Sequence, residues 1–191
     1  MRARHHRFTL REYVALERTS NLRHEFFEGE VFALAGGTPE HAALAATVIG
    51  ELGRQLEGKP CRPYTSDLRI RVPATGLCTY PDLSVVCGKP ETDPDDANSV
   101  VNPKVLVEVL SDSTEAYDRA EKFDSFRTLP SLEEYVLVSH REALIEVFRR
   151  TATGPWSRLE ARAHAAAKLA SLGCELSVDR VYAGVALHGG S

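Results

Sequence analysis

Residues 81–86 read PDLSVV and residues 104–110 read KVLVEVL, and these two short apolar runs decide how the rest of the chain is read. Each is rich in β-branched residues and short enough to be a buried strand. Each also carries one carboxylate where an apolar residue would be expected: Asp82 at the head of the first run and Glu108 in the middle of the second. A carboxylate inside such a strand is costly unless something compensates its charge. Two of them on neighbouring strands would repel each other as well. A divalent cation between them resolves both problems, because Mg²⁺ takes oxygen ligands and binds one or two protein carboxylates while keeping water in its other positions. The alternative is structural, with Glu108 on the solvent face of an edge strand and Asp82 closing a turn after Pro81.

Outward from these strands the elements alternate. Thr9 and Glu12 form a capping box, with Phe8 and Tyr13 at the staple positions, so a helix starts at Thr9. His24–Phe27 and Val31–Leu34 read as a strand pair turned at Glu28-Gly29. Thr38 and Pro39 open a long helix whose apolar face is Ala45, Val48, Ile49, Leu52 and Leu56, with Gly58 as its stop. Leu68, Ile70 and Val72 alternate with Arg69 and Arg71, the pattern of a half-buried strand whose arginines face solvent or meet phosphates. The acidic run ETDPDDANS (residues 91–99) reads as a solvated loop. A second helix spans about Thr114 to Arg127, packing through Tyr117, Ala120, Phe123 and Phe126. Tyr135–Ser139, Leu144–Phe148 and Trp156–Ala161 form a meander, and a short helix lies near Val178–Val185. The expected fold is α/β, a mixed α+β sheet flanked by helices, in one domain spanning residues 1–191.

Composition bounds the function. The chain has 191 residues, 43% hydrophobic and 26% charged, with a net charge of −4, a balance that excludes disorder and a bulk positive field. Only the first 23 residues are locally basic, with six Arg against two Glu. No apolar run approaches membrane-spanning length and no signal h-region is evident, so the expected location is cytoplasmic. The four cysteines (Cys61, Cys78, Cys87, Cys174) show no metal spacing and are read as reduced, with Cys78 and Cys87 as small buried hydrophobes.

The strings TYPDLSVV (79–86), VEVLSDSTEAYDRAEKFDSFRTLPSLEEYVLVS (107–139) and RHEFFEGEVFALAGGTPEHAAL (23–44) together resemble the Uma family of endonucleases. That family lies within the restriction-endonuclease-like PD-(D/E)XK superfamily, and the likeness covers nearly the whole chain. The resemblance implies a restriction-endonuclease-like fold in which Asp82, Glu108 and the carbonyl of Val109 hold Mg²⁺ or Mn²⁺, with DNA as substrate. The superfamily lysine, two residues after the second acid, is here Leu110. Lys122 on the following helix is the nearest replacement, unless it only pairs with Asp118 four residues before it. Glu25 is a candidate third acid or water-orienting base, or else a surface strand residue. His41 shares the apolar face of its helix and is either catalytic or a satisfied core histidine. The expected activity is metal-dependent hydrolysis of DNA phosphodiesters, with a homodimer suited to cutting both strands. Two rivals stand beside it: a catalytically inactive module of the same fold that binds nucleic acid or a protein, and a small-molecule hydrolase.

Overall fold

The computed structural model describes residues 6–187; the arginines and histidine of residues 2–5 lie outside the described residues. Two six-stranded sheets carry the fold. One is built in the order β3 (Cys61–Thr65), β6 (Leu83–Cys87), β9 (Val105–Val109), β10 (Glu134–Val138), β11 (Leu144–Arg149) and β12 (Ser157–Arg162). Within it β9 and β10 are parallel, and their neighbours are antiparallel. The other runs β2 (Glu30–Ala33), β1 (His24–Phe27), β5 (Cys78–Thr79), β4 (Arg69–Arg71), β8 (Asp96–Val100) and β7 (Thr92–Asp93). A separate hairpin, β13 (Ala166–Leu169) with β14 (Cys174–Ser177), has no counterpart in the sequence expectations.

The strand alternation of the first sheet sorts its side chains into two cores. Val105, Val107 and Val109 of β9, with Leu83 and Val85 of β6, pack under Leu44, Val48 and Leu52 of helix α2 (Pro39–Gln55). Leu106 and Leu110, with Val86, Tyr135 and Leu137, pack with Phe126, Leu129 and Leu132 on the opposite face. Each such fully buried aliphatic contributes roughly 1.5–3 kcal/mol. A mixed sheet between helices follows, as the sequence predicts. Helix α1 (Leu10–Thr19) starts at the expected capping box, and Thr38 caps α2 with Pro39 at its first position. No helix among the described residues is long and apolar enough to cross a membrane.

Three expectations are corrected. The helix after β9 is not one α-helix: α3 (Glu115–Tyr117) leads into a π-wound segment (Asp118–Lys122) and then α4 (Phe123–Phe126). Phe126 is buried and Phe123 packs against the core as expected, but Ala120 is exposed, and Asp118, Lys122 and Ser125 are buried beside them. Arg69 and Arg71 are not a solvated face. Arg69 is buried, donating from Nε to Ser99 Oγ at 2.9 Å and pairing with Asp96 at 2.7 Å, while Arg71 stands 3.8 Å from Asp93. The acidic run therefore forms β7 and β8, its Asp93 and Asp96 buried as partners of these arginines. Finally, Cys61 and Cys87 face each other across β3 and β6 and form a disulfide, so Cys87 is not a free hydrophobe. Their separation of 26 residues on non-consecutive strands gives no local spacing by which to recognise the pair. Cys78 and Cys174 are free and buried.

Candidate metal centre

Strands β6 and β9 pair with Leu83 opposite Val107 and Ser84 opposite Leu106. One step further along that register, Asp82 stands opposite Glu108. The two residues interlock. The Asp82 backbone N–H donates to Glu108 Oε2 at 3.2 Å, and the Val109 N–H donates to Asp82 Oδ2 at 2.8 Å. Glu108 sits on an interior strand with 4% exposure, which rules out a solvent-facing edge position. Asp82, at the strand's entrance, keeps 21% of its side chain in solvent.

Lys122 reaches this pair from the π segment. Its Nζ lies 2.8 Å from Glu108 Oε1 and 3.4 Å from Asp118 Oδ1, so the lysine serves both the strand acid and its helical neighbour. The contact with Oε1 is an ion pair at hydrogen-bond distance, and the ammonium is what compensates this buried oxygen. Burial, together with the charges of Asp118 and Asp82, pushes the Glu108 carboxyl well above the usual carboxylate range, against the pull of Lys122. Burial works against the lysine's charge too, yet Glu108, Asp118 and Glu25 together raise it and hold it as an ammonium. Asp118 is fixed further by its carbonyl, which accepts from the Tyr135 hydroxyl at 3.0 Å.

Glu25 on β1 is buried rather than a surface strand residue. Its Oε2 accepts from Thr79 Oγ1 at 2.6 Å and its Oε1 from the Tyr117 hydroxyl. His41, in the first turn of α2, places Nε2 3.2 Å from Asp82 Oδ2. The bond to Asp82 raises its pKa above the ordinary imidazole value despite burial, helped by the charges of Asp82 and Asp118. The structure thus gathers Asp82, Glu108, Lys122 and His41 directly, and Glu25 through Tyr117 and the field at Lys122. Asp118, Tyr117 and Thr79 were not foreseen as part of the cluster. Asp118 was visible only as a lysine partner, and the other two carry no spacing signal.

The donor set suits a hard dication. Among the described residues no three His, Cys, Asp or Glu side chains converge as a full ligand set. Two carboxylates and a backbone carbonyl with water completing the shell is nevertheless how Mg²⁺ is ordinarily held. The excess of four acids (Asp82, Glu108, Asp118 and Glu25) over Lys122 and His41 leaves negative charge for a cation to meet. A cleft of about 450 Å³ lined by Glu17, Arg69, Tyr80 and Asn98 shares no residue with this cluster. Its buried Arg69 and Glu17 pair with each other instead of pointing at a ligand.

Comparison with known proteins gives the family and the fold. The Uma2 family, described as "Putative restriction endonuclease", matches residues 10–179. The chain belongs to the Uma2 family. A protein of Synechocystis sp., "Uncharacterized protein slr1290", is 35% identical over 178 residues, covering 92% of this chain and 91% of that protein. A second from the same organism, "Uncharacterized protein sll1609", is 28% identical over 148 residues, 78% of this chain and 84% of that one. A crystal structure from Anabaena variabilis, described as a putative nuclease, superposes with a TM-score of 0.73 at 17% identity, covering 92% of this chain and 97% of that one. The fold is the restriction-endonuclease-like one expected from the sequence.

Proposed function

We propose that the chain is a metal-dependent endonuclease hydrolysing DNA phosphodiester bonds, with Asp82, Glu108 and the Val109 carbonyl holding Mg²⁺ or Mn²⁺. The observation that carries this reading is the interlock of Asp82 with Glu108 beneath the Lys122 ammonium. When bound, a divalent cation there supplies Lewis acidity and lowers the pKa of its water towards neutrality. The chain's own residues do the rest. Lys122, held charged by three acids, stabilises negative charge developing on the phosphate. It takes the part that Leu110, buried in the core, cannot play. His41 orients the Asp82 carboxylate, and Glu25, fixed by Thr79 and Tyr117, keeps Lys122 in place. A cytoplasmic setting, one domain spanning residues 1–191 and a homodimer that cuts both strands belong to the same proposal.

The test is incubation of supercoiled plasmid with Mg²⁺ or Mn²⁺. Wild type nicks and linearises it, and Lys122→Met lowers the rate by about 10²–10³-fold, the usual effect of losing one such electrostatic contact. A wild type that cuts no DNA with any divalent metal favours the inactive binding module. Normal cutting by Lys122→Met removes the lysine from the mechanism.

A further inference from the structure

We propose that Gly37 is a positioning residue for the candidate metal site, its missing side chain being what lets the His41 ring rest on Asp82. A Cβ built on Gly37 would lie 2.6 Å from His41 Nδ1, 2.8 Å from Cγ and 3.1 Å from Cβ. Real Cβ atoms do not approach other atoms at the first two distances, and an aromatic ring cannot bend away. The neighbouring Gly36 has nothing within 4 Å of its would-be Cβ. Neither glycine has a positive φ, so backbone conformation does not demand glycine at either position. Only contact with His41 demands it, and only at 37.

The ring has no slack in which to retreat. Its backbone is fixed at the N-terminus of α2, where the His41 N–H donates to Thr38 Oγ1 at 3.2 Å and the Ala42 N–H to the Thr38 carbonyl at 3.0 Å. Its far side is fixed by Nε2 on Asp82 Oδ2 at 3.2 Å. Gly37 closes the remaining side. His41 thus holds a group read above as facing the metal, the Asp82 carboxylate, and this inference rests on that reading. Partners that orient a ligating carboxylate typically set metal affinity by about 10–100-fold.

The experiment compares wild type with Gly36→Ala, Gly37→Ala, His41→Ala and the double variant Gly37→Ala/His41→Ala. Two readouts are taken: long-range ¹H–¹⁵N spectra of the imidazoles, with His41 assigned by its absence in His41→Ala, and Mn²⁺ binding by calorimetry. Gly36→Ala should match wild type in both. Gly37→Ala should shift the His41 resonances and weaken Mn²⁺ binding by about 10–100-fold. In the His41→Ala background the same substitution should add nothing, because the ring it strikes is gone. A Gly37→Ala protein indistinguishable from Gly36→Ala overturns the proposal, as does a further loss of affinity in the double variant. Should Gly37→Ala alone fail to fold, the double variant must fold; if it does not, Gly37 serves the fold and the proposal is wrong. Should wild type bind no Mn²⁺, the metal reading fails by itself. The imidazole spectrum then still decides whether Gly37 sets His41, with unshifted His41 resonances overturning that too.

Discussion

Glu108 has 4% exposure and an ammonium 2.8 Å from one oxygen, and that pairing explains why it is tolerated in an apolar strand. A buried carboxylate stripped of its partner costs about 3–5 kcal/mol, so its presence needs Lys122, and Lys122 in turn needs Asp118. The acids of this site were legible because each breaks an apolar run. Asp82 and Glu108 could be singled out from sequence for that reason, whereas Glu25 was ambiguous, since a four-residue strand gives no clear sense of which face is buried. Its hydrogen bonds now make a definite expectation. Tyr117→Phe removes the donor to Glu25 Oε1, leaving a buried acceptor unpaired. The variant should lose about 1–3 kcal/mol in urea unfolding. A loss within error would mean that the Tyr117 hydroxyl is not an important partner of Glu25.

At the level of elements, local chemistry predicted starts better than interiors. The capping box at Thr9 and Glu12 and the Thr38-Pro39 start are backbone requirements met by particular side chains, so they could be read residue by residue. Thr9→Ala should cost about 1 kcal/mol of stability, measured by thermal unfolding. The π segment could not be read that way: Phe123 and Phe126 pack as a period of 3.6 predicts, but Ala120 is exposed while Asp118 and Lys122 are buried. Strands β7 and β8 were missed because four acidic residues in ETDPDDANS look solvated until the arginines of β4 are placed beside them. Ion pairs also tie elements together elsewhere. Burial pushes the Glu146 carboxyl on β11 upward, but Arg119 of the π segment and Arg158 of β12 outweigh this and hold it below the usual range. A carboxylate depressed on folding contributes stability above its unfolded pKa, about 4.3, which is lost as pH falls through the lower folded value. Glu146→Gln should therefore melt below wild type at pH 6, and the gap should narrow on acidification towards pH 3. A gap that stays constant with pH would show that the charge of Glu146 does not carry its contribution.

Across the whole molecule, the sheet of β6 and β9 supplies the rigid platform and the helices on its two faces bring His41 and Lys122 to one end of it. The fold class was legible because PDLSVV and VLVEVL are strand signals strong enough to survive without tertiary information. The β13–β14 hairpin was not, since HAAAKLA lacks strand alternation and is fixed by contacts from afar. Glu134 of β10 is one of those contacts. Fully buried, it pairs with Arg149 at 2.8 Å and accepts from the Ala170 N–H at 3.0 Å and the Ser171 hydroxyl at 2.5 Å. Glu134→Ala should cost about 3–5 kcal/mol in urea unfolding, with amide exchange accelerating first across residues 166–177. None of these stability terms bears on whether the interlocked acids hold a cation, which is the centre of the account. That is measured most directly by titrating Mn²⁺ into wild type, Asp82→Asn and Glu108→Gln by calorimetry, substitutions that preserve side-chain shape while removing charge. The account predicts one saturable site in wild type that is lost in both variants, with all three proteins folded. Undiminished Mn²⁺ binding by Asp82→Asn and Glu108→Gln would contradict it.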